Sequence, residues 1–272
     1  MINEIMEMFS YSFMTRAFIV GLLISLCASL IGVSLVLRRN SMIGDGLSHI
    51  GFGSFAIATI MGFAPLEFTL PVVIISSFFI LKINDNSKIH GDSLIALLSA
   101  SSLAIGTFAV SLSGVNTDIN NYLFGSILSI NNTELVISII LSIVVILLYL
   151  LSYNKIFAIT FDEKFAKSIG INTNFYNMIF AILCSIVVVL GMRLVGALLI
   201  SSLIIFPTLS SMQLFKNFKK VVISSIVISL VAFTLGMFIS YFNTTPTGAT
   251  IVIVNLIIFI ICKLVSIVVK HK

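Results

Sequence analysis

The sequence predicts an all-α, polytopic integral membrane protein. Three observations carry that expectation. Hydrophobic residues make up 59% of the 272 positions, against roughly 45–50% in an average soluble domain. Charged residues are 9%, against about 25% in that average, and the mean hydropathy is +1.21. The apolar residues also fall in runs close to the ~20 residues that a helix needs to cross a bilayer. A soluble globule cannot keep so little polar surface in water, and a disordered chain needs low hydrophobicity, so both classes are excluded. Lipid offers no partner to an open strand edge, and no alternating ten-residue pattern suggests a barrel, so each run is expected to be a helix.

The runs can be taken in order. Ala17–Leu37 carries no charge, and Ile43–Phe63 is interrupted by Asp45 and His49. Phe68–Leu81 is short and extends back through Pro65. Ser93–Ser113, Leu135–Ser152, Phe175–Met192, Val195–Phe215, Val221–Phe242 and Thr247–Val269 complete nine expected spans. Arg193-Leu194 is a tight link between the sixth and seventh. Reading one of those two as a broken element leaves eight crossings, but charge placement favours nine. Lys and Arg concentrate in alternate connections: Arg38 and Arg39, Lys82 and Lys88, then Lys155, Lys164 and Lys167. Lys216, Lys219, Lys220 and the tail lysines 263, 270 and 272 follow, while only Arg16 and Arg193 fall on the other side. The positive-inside rule then puts the N-terminus outside and the C-terminus in the cytoplasm.

The connections leave little room for a separate soluble domain, so residues 1–272 are read as one transmembrane domain. The acidic Glu4/Glu7 lead and the long first run do not suit a cleavable leader. Cys27, Cys184 and Cys262 all lie in apolar runs without a CxxC and read as small buried hydrophobes. No P-loop and no H-E-x-x-H occurs, so neither an ATPase nor a zincin-type protease is expected in this chain.

Polar residues inside apolar runs are expensive, so they are where function is sought. Asp45 and His49 stand at i and i+4, which puts them on one helix face. Gly46, Gly51, Gly53 and Ser54 make that helix small enough for close packing. A carboxylate oxygen with an imidazole nitrogen suits Zn²⁺, Mn²⁺ or Fe²⁺. Two ligands are too few for a closed structural site, and a symmetric second copy would supply two more. The bland alternative is a carboxylate favouring a helix N-terminus beside a packing histidine.

Three other segments stand out. Phe161–Gly170 leads with Asp162 and Glu163, continues through Ala166 and ends at Gly170. It reads as a short amphipathic helix for a partner protein, or as a solvated turn. Val195–Thr208 carries Gly196 and, in mid-run, Pro207, read as a hinge or as a packing kink. Arg193 is expected to snorkel to the interface. His90 and His271 have no ligand partner in sequence, and 116–121 is a polar external loop.

Taken in order, these segments resemble the permease subunits of the bacterial zinc/manganese/iron ABC importers, the zinc-uptake permease family of the ABC-3 type. LVLRRNSMIGDGLSHIGFG at 35–53 is similar to that family's Gly-Asp-x-x-Ser-His segment. YLFGSIL at 122–128 resembles its external glycine element, and FDEKFAKSIGI at 161–171 its cytoplasmic coupling segment. RLVGALLISSLIIFPTLSS at 193–211 and TPTGATIVIV at 245–254 match its Val-Gly…Pro and Pro-x-Gly segments. Thr208-Leu209-Ser210-Ser211 departs from the small Ala/Thr run usual after the proline.

The resemblance implies a homodimer in the bacterial cytoplasmic (inner) membrane, served by two separate ABC ATPase subunits and an extracytoplasmic metal-binding protein. It implies no nucleic acid, no enzymatic step in this chain, and no permanently bound cofactor. The cargo would be a divalent metal ion: Zn²⁺, Mn²⁺ or Fe²⁺. Asp45 and His49 fall on the family's intramembrane metal position. Asp162, Glu163, Ala166 and Gly170 fall on the ATPase coupling segment, and Gly196 and Pro207 on a hinge in the pathway. Two rivals stand beside this reading: a cobalamin/siderophore-type permease, and a stand-alone secondary transporter driven by an ion gradient.

Overall fold

The computed structural model describes residues 2–86, 91–113, 125, 131–197 and 199–270. Among them every regular element is a helix. The order is α1 Ile2–Ser10, α2 Ser12–Leu37, α3 Met42–Met61, α4 Pro65–Asn86, α5 Gly91–Ser113 and α6 Asn132–Phe161. It continues with α7 Glu163–Ser168, α8 Thr173–Val195, α9 Ile200–Leu214, α10 Phe218–Asn243 and α11 Thr247–Lys270. By length and composition, α2, α5, α6, α8, α10 and α11 can each cross a membrane. Pro65–Ile80 within α4, and α9, are apolar but shorter. In α3 the apolar residues are diluted by Asp45, His49 and four glycines.

Helices α2 and α8 form the buried centre, and the others pack around them. Without a hydrophobic force between helices in lipid, small residues and interhelical hydrogen bonds must hold the bundle. Both are present. Ser229 Oγ on α10 donates to the Ser25 carbonyl on α2 at 2.8 Å, and Ser185 Oγ on α8 donates to Ser77 Oγ on α4 at 2.8 Å. Gly32 on α2 lies so near the Ile204 backbone of α9 that a β-carbon there would overlap its carbonyl. The outer helices turn large apolar side chains outward, among them Leu97, Phe108 and Leu112 on α5 and Leu150 and Leu151 on α6. In lipid such a surface costs nothing.

Two elements differ from expectation. Helix α1 precedes the first span. Met8 is buried against the core, and Phe9 meets Phe18 edge to face at 5.2 Å. The break between α8 and α9 falls at Gly196 rather than at Arg193-Leu194. Gly196 adopts φ +100°, ψ 151°, a conformation that is essentially glycine's alone, so α8 stops there and α9 begins at Ile200. Helix α9 then runs without interruption through Pro207 to Leu214.

The turn from α2 into α3 is tight. Arg39 N–H donates to the Val36 carbonyl at 3.1 Å and Asn40 N–H to the Leu35 carbonyl at 3.0 Å. This is the Schellman pattern, with Arg39 at φ +58° where glycine is usual.

Candidate metal site

Asp45 lies in the first turn of α3, where a carboxylate complements the positive end of the helix dipole. One turn later, His49 Nε2 comes to 3.6 Å from Asp45 Oδ2. That is an ion-pair approach, too long for a hydrogen bond. The His49 side chain is 12% exposed and that of Asp45 36%. His49 Nδ1 is buried with no hydrogen-bond partner among the described residues. Both groups are therefore under-used by the chain itself.

The rest of α3 is closely held. A β-carbon on Gly46 would stand 2.5 Å from Ile95 Cγ2, and one on Gly53 2.6 Å from the Ser102 carbonyl oxygen, both on α5. Gly106 of α5 in turn faces the Gly53 backbone. A β-carbon on Gly51 would come within 2.7 Å of Met192 Sδ of α8, and Gly44 faces Ile204 of α9. The glycines thus fix α3 against three neighbours while the Asp45 carboxylate stays accessible. Among the described residues no group of three or more His, Cys, Asp and Glu could hold a metal; Asp45 and His49 stand there as a pair.

The 161–170 segment forms the short helix expected of it. Asp162 caps α7, its Oδ1 accepting from Phe165 N–H at 2.9 Å. Ala166 is buried, and Gly170 takes φ +85° just past the helix with open space around it. Phe161, Phe165 and Ile169 are exposed, which makes an apolar patch beside the charges of α7. Glu163 Oε1 accepts from Asn177 Nδ2 on α8 at 2.8 Å. Asn177 Oδ1 accepts from Arg38 at 2.9 Å. Arg38 also donates to Thr160 Oγ1 at 3.3 Å and lies 4.9 Å over the Phe180 ring.

At the other end of α3, Arg193 pairs with Glu134 and sits 5.0 Å over the Phe55 ring. Their side chains are only 16% and 19% exposed. Arg193 therefore does not snorkel, because an acid on α6 supplies its counter-charge. Glu134 is also the acid of a capping box: its N–H donates to Asn131 Oδ1 at 2.8 Å, and Asn131 N–H donates to its Oε2 at 3.3 Å. Gly125 is at φ +80°, and a β-carbon there would lie 2.7 Å from the Gly196 amide nitrogen. The external glycine element and the Val-Gly element thus meet. His90, His271, 116–121 and the rest of 122–128 lie outside the described residues.

Sequence reasoning missed Glu134, Thr160, Asn177 and Phe55. Asn131-Asn132-Thr133-Glu134 has the spacing of a capping box, so Glu134 was legible as a helix start. Nothing in sequence marks Asn177 or Thr160, whose roles depend on helices brought together by folding.

Comparison with known proteins adds a family and relatives. The sequence profile of the ABC 3 transport family matches residues 10–266. The manganese import system permease protein ScaB of Streptococcus gordonii is 29% identical over 262 residues, covering 96% of this chain and 94% of that one. A probable iron transport system membrane protein of Haemophilus influenzae is 30% identical over 274 residues, covering 98% and 94%. The solved structure of PsaBC from Streptococcus pneumoniae in complex with Fab matches with a TM-score of 0.86 at 28% identity, over 96% of this chain and 95% of that chain.

Proposed function

The chain belongs to the ABC 3 transport family, and from that membership we propose that it is the membrane permease subunit of an ATP-driven importer of divalent transition-metal ions. The observation that carries this reading is the Asp45–His49 pair. It places an oxygen and a nitrogen ligand on one face of a closely packed helix, with the carboxylate accessible and one imidazole nitrogen unpartnered. The relatives named for manganese and iron support a metal cargo.

In this reading the molecule works as a homodimer. Two copies bring two Asp45 and two His49 side chains towards one axis, giving a site complete enough to bind and loose enough to release. The chain forms a single permease domain with nine crossings, the N-terminus outside and the C-terminus in the cytoplasm of a bacterium. Helices α3, α4 and α9 cross as well, sheltered among longer neighbours that tolerate their shorter apolar length. An extracytoplasmic binding protein delivers the ion. Two ATPase subunits dock on the Asp162–Gly170 segment, using the exposed Phe161, Phe165 and Ile169. Nucleotide-driven movement of α7 shifts the bundle between outward- and inward-open populations, with Gly196 and Pro207 as the places where α8 and α9 flex.

The test is uptake by vesicles containing the permease with its ATPase and binding protein. ATP-dependent accumulation of Zn²⁺, Mn²⁺ or Fe²⁺, suppressed by the competing free ions and not by chelated iron or cobalamin, is expected. Uptake of the chelates, or of any ion without ATPase, overturns the proposal. The ion among the three that competes best identifies the cargo.

A further inference from the structure

Four polar side chains from four helices join the cytoplasmic segment α7 to the turn that leads into the Asp45 helix. Glu163 on α7 accepts from Asn177 on α8, and Asn177 accepts from Arg38 at the end of α2. The same guanidinium holds Thr160 at the end of α6 and covers the Phe180 ring. Arg38 is the C-cap of α2. From it only Arg39, Asn40 and Ser41 separate α2 from Met42, the first residue of α3.

That connection is stiff. Asn40 N–H is bonded back to Leu35, and Ile43 N–H is bonded to the Asn40 carbonyl at 3.0 Å. Arg39 is held at φ +58°, a conformation costing an L-residue about 1 kcal/mol. A turn closed by these bonds moves as a unit with Arg38, and Asp45 stands in the first helical turn beyond it. The guanidinium is held at two nitrogens, Nη1 by Asn177 and Nε by Thr160, so the position of Asn177 helps set where the α2 end can lie. Glu163 in turn is held by the Asn177 side-chain amide.

We propose that Asn177 and Arg38 are positioning residues that carry displacement of α7 to the α2–α3 turn, and so set the placement of the Asp45 and His49 side chains. The proposal rests on the permease reading above and adds the route by which the coupling segment reaches the ligands. A chain of contacts is a route; coupling itself has to be measured.

Two readouts measure it. In vesicles with ATPase and binding protein, Asn177→Leu is expected to lower metal taken up per ATP hydrolysed by at least about fivefold, with ATP hydrolysis within about twofold of the parent. A merely structural role lowers both together and leaves the ratio unchanged, which overturns the proposal. In the purified full-length permease without ATPase, amide hydrogen exchange over residues 38–50 is expected to rise in Asn177→Leu and in Glu163→Ala. Glu163→Gln, which keeps a carbonyl acceptor for Asn177, is expected to match the parent. Unchanged exchange over 38–50 in the first two variants also overturns it. If the parent importer takes up no metal, the permease reading fails, and the exchange measurement still decides the relay.

Discussion

The Arg193–Glu134 pair and the Asp45–His49 pair lie in the same bundle and are built in opposite ways. Arg193 ends α8 and Glu134 begins α6, so each charge suits its helix dipole. Both are largely buried, both Glu134 oxygens are used, and the guanidinium is covered by Phe55. Asp45 and His49 share one helix, stop at 3.6 Å, and leave an imidazole nitrogen buried without a partner among the described residues. A pair closed on itself ties two helices together. A pair left open on a rigid helix is available to something that arrives from outside the chain. On the proposed function, the difference separates a structural ion pair from a site for cargo.

The comparison can be broken or sharpened by substitution. The largest effect is expected at the open pair. Asp45→Ala should cut metal uptake about a hundredfold, near the upper end of site-coupling effects, while leaving thermal stability near the parent. Glu134→Ala should do the reverse. It strands Arg193 without its acid, and a loss of about 3 kcal/mol is expected for an unpaired, largely buried charge. The double change Glu134→Leu with Arg193→Met should recover most of that stability in a detergent unfolding series.

Gly53→Val sharpens the part played by the scaffold. Its side chain would meet the Ser102 carbonyl, and about 1–3 kcal/mol should be lost as α3 is pushed from α5. Uptake should fall with it, although no ligand is touched. The smallest effect is at the turn. Arg39→Gly relieves the positive φ at some cost in chain entropy, and a gain of about 0.5 kcal/mol is expected. It should be visible as a small rise in melting temperature.

Most of the helical organisation was legible because lipid forces long apolar runs into helices, and their order survives into α2, α6, α8, α10 and α11, although α6 runs on past Ser152 to Phe161. Asp45 and His49 were legible for the same reason: an acid and a histidine stand out where charges are scarce. The short helix α7 was readable from its Asp162 cap and Gly170 stop. The position of the α8–α9 break was misread, since composition at 194–200 is uniformly apolar and only the backbone of Gly196 shows where the helix ends. The partner of Arg193 could not be read, because Glu134 lies 59 positions away and meets it only through tertiary packing. The Glu163–Asn177–Arg38 chain was hidden for that reason too. Asn177 carries no charge and follows no motif.

On the proposed function, Asp45 and His49 hold the transported ion. The most direct measurement is metal uptake by the Asp45→Asn/His49→Gln double variant, reconstituted with ATPase and binding protein and compared with ATP hydrolysis and melting temperature in the same preparation. Uptake at background, with hydrolysis and folding intact, is the result expected. Uptake at the parent rate would contradict the claim.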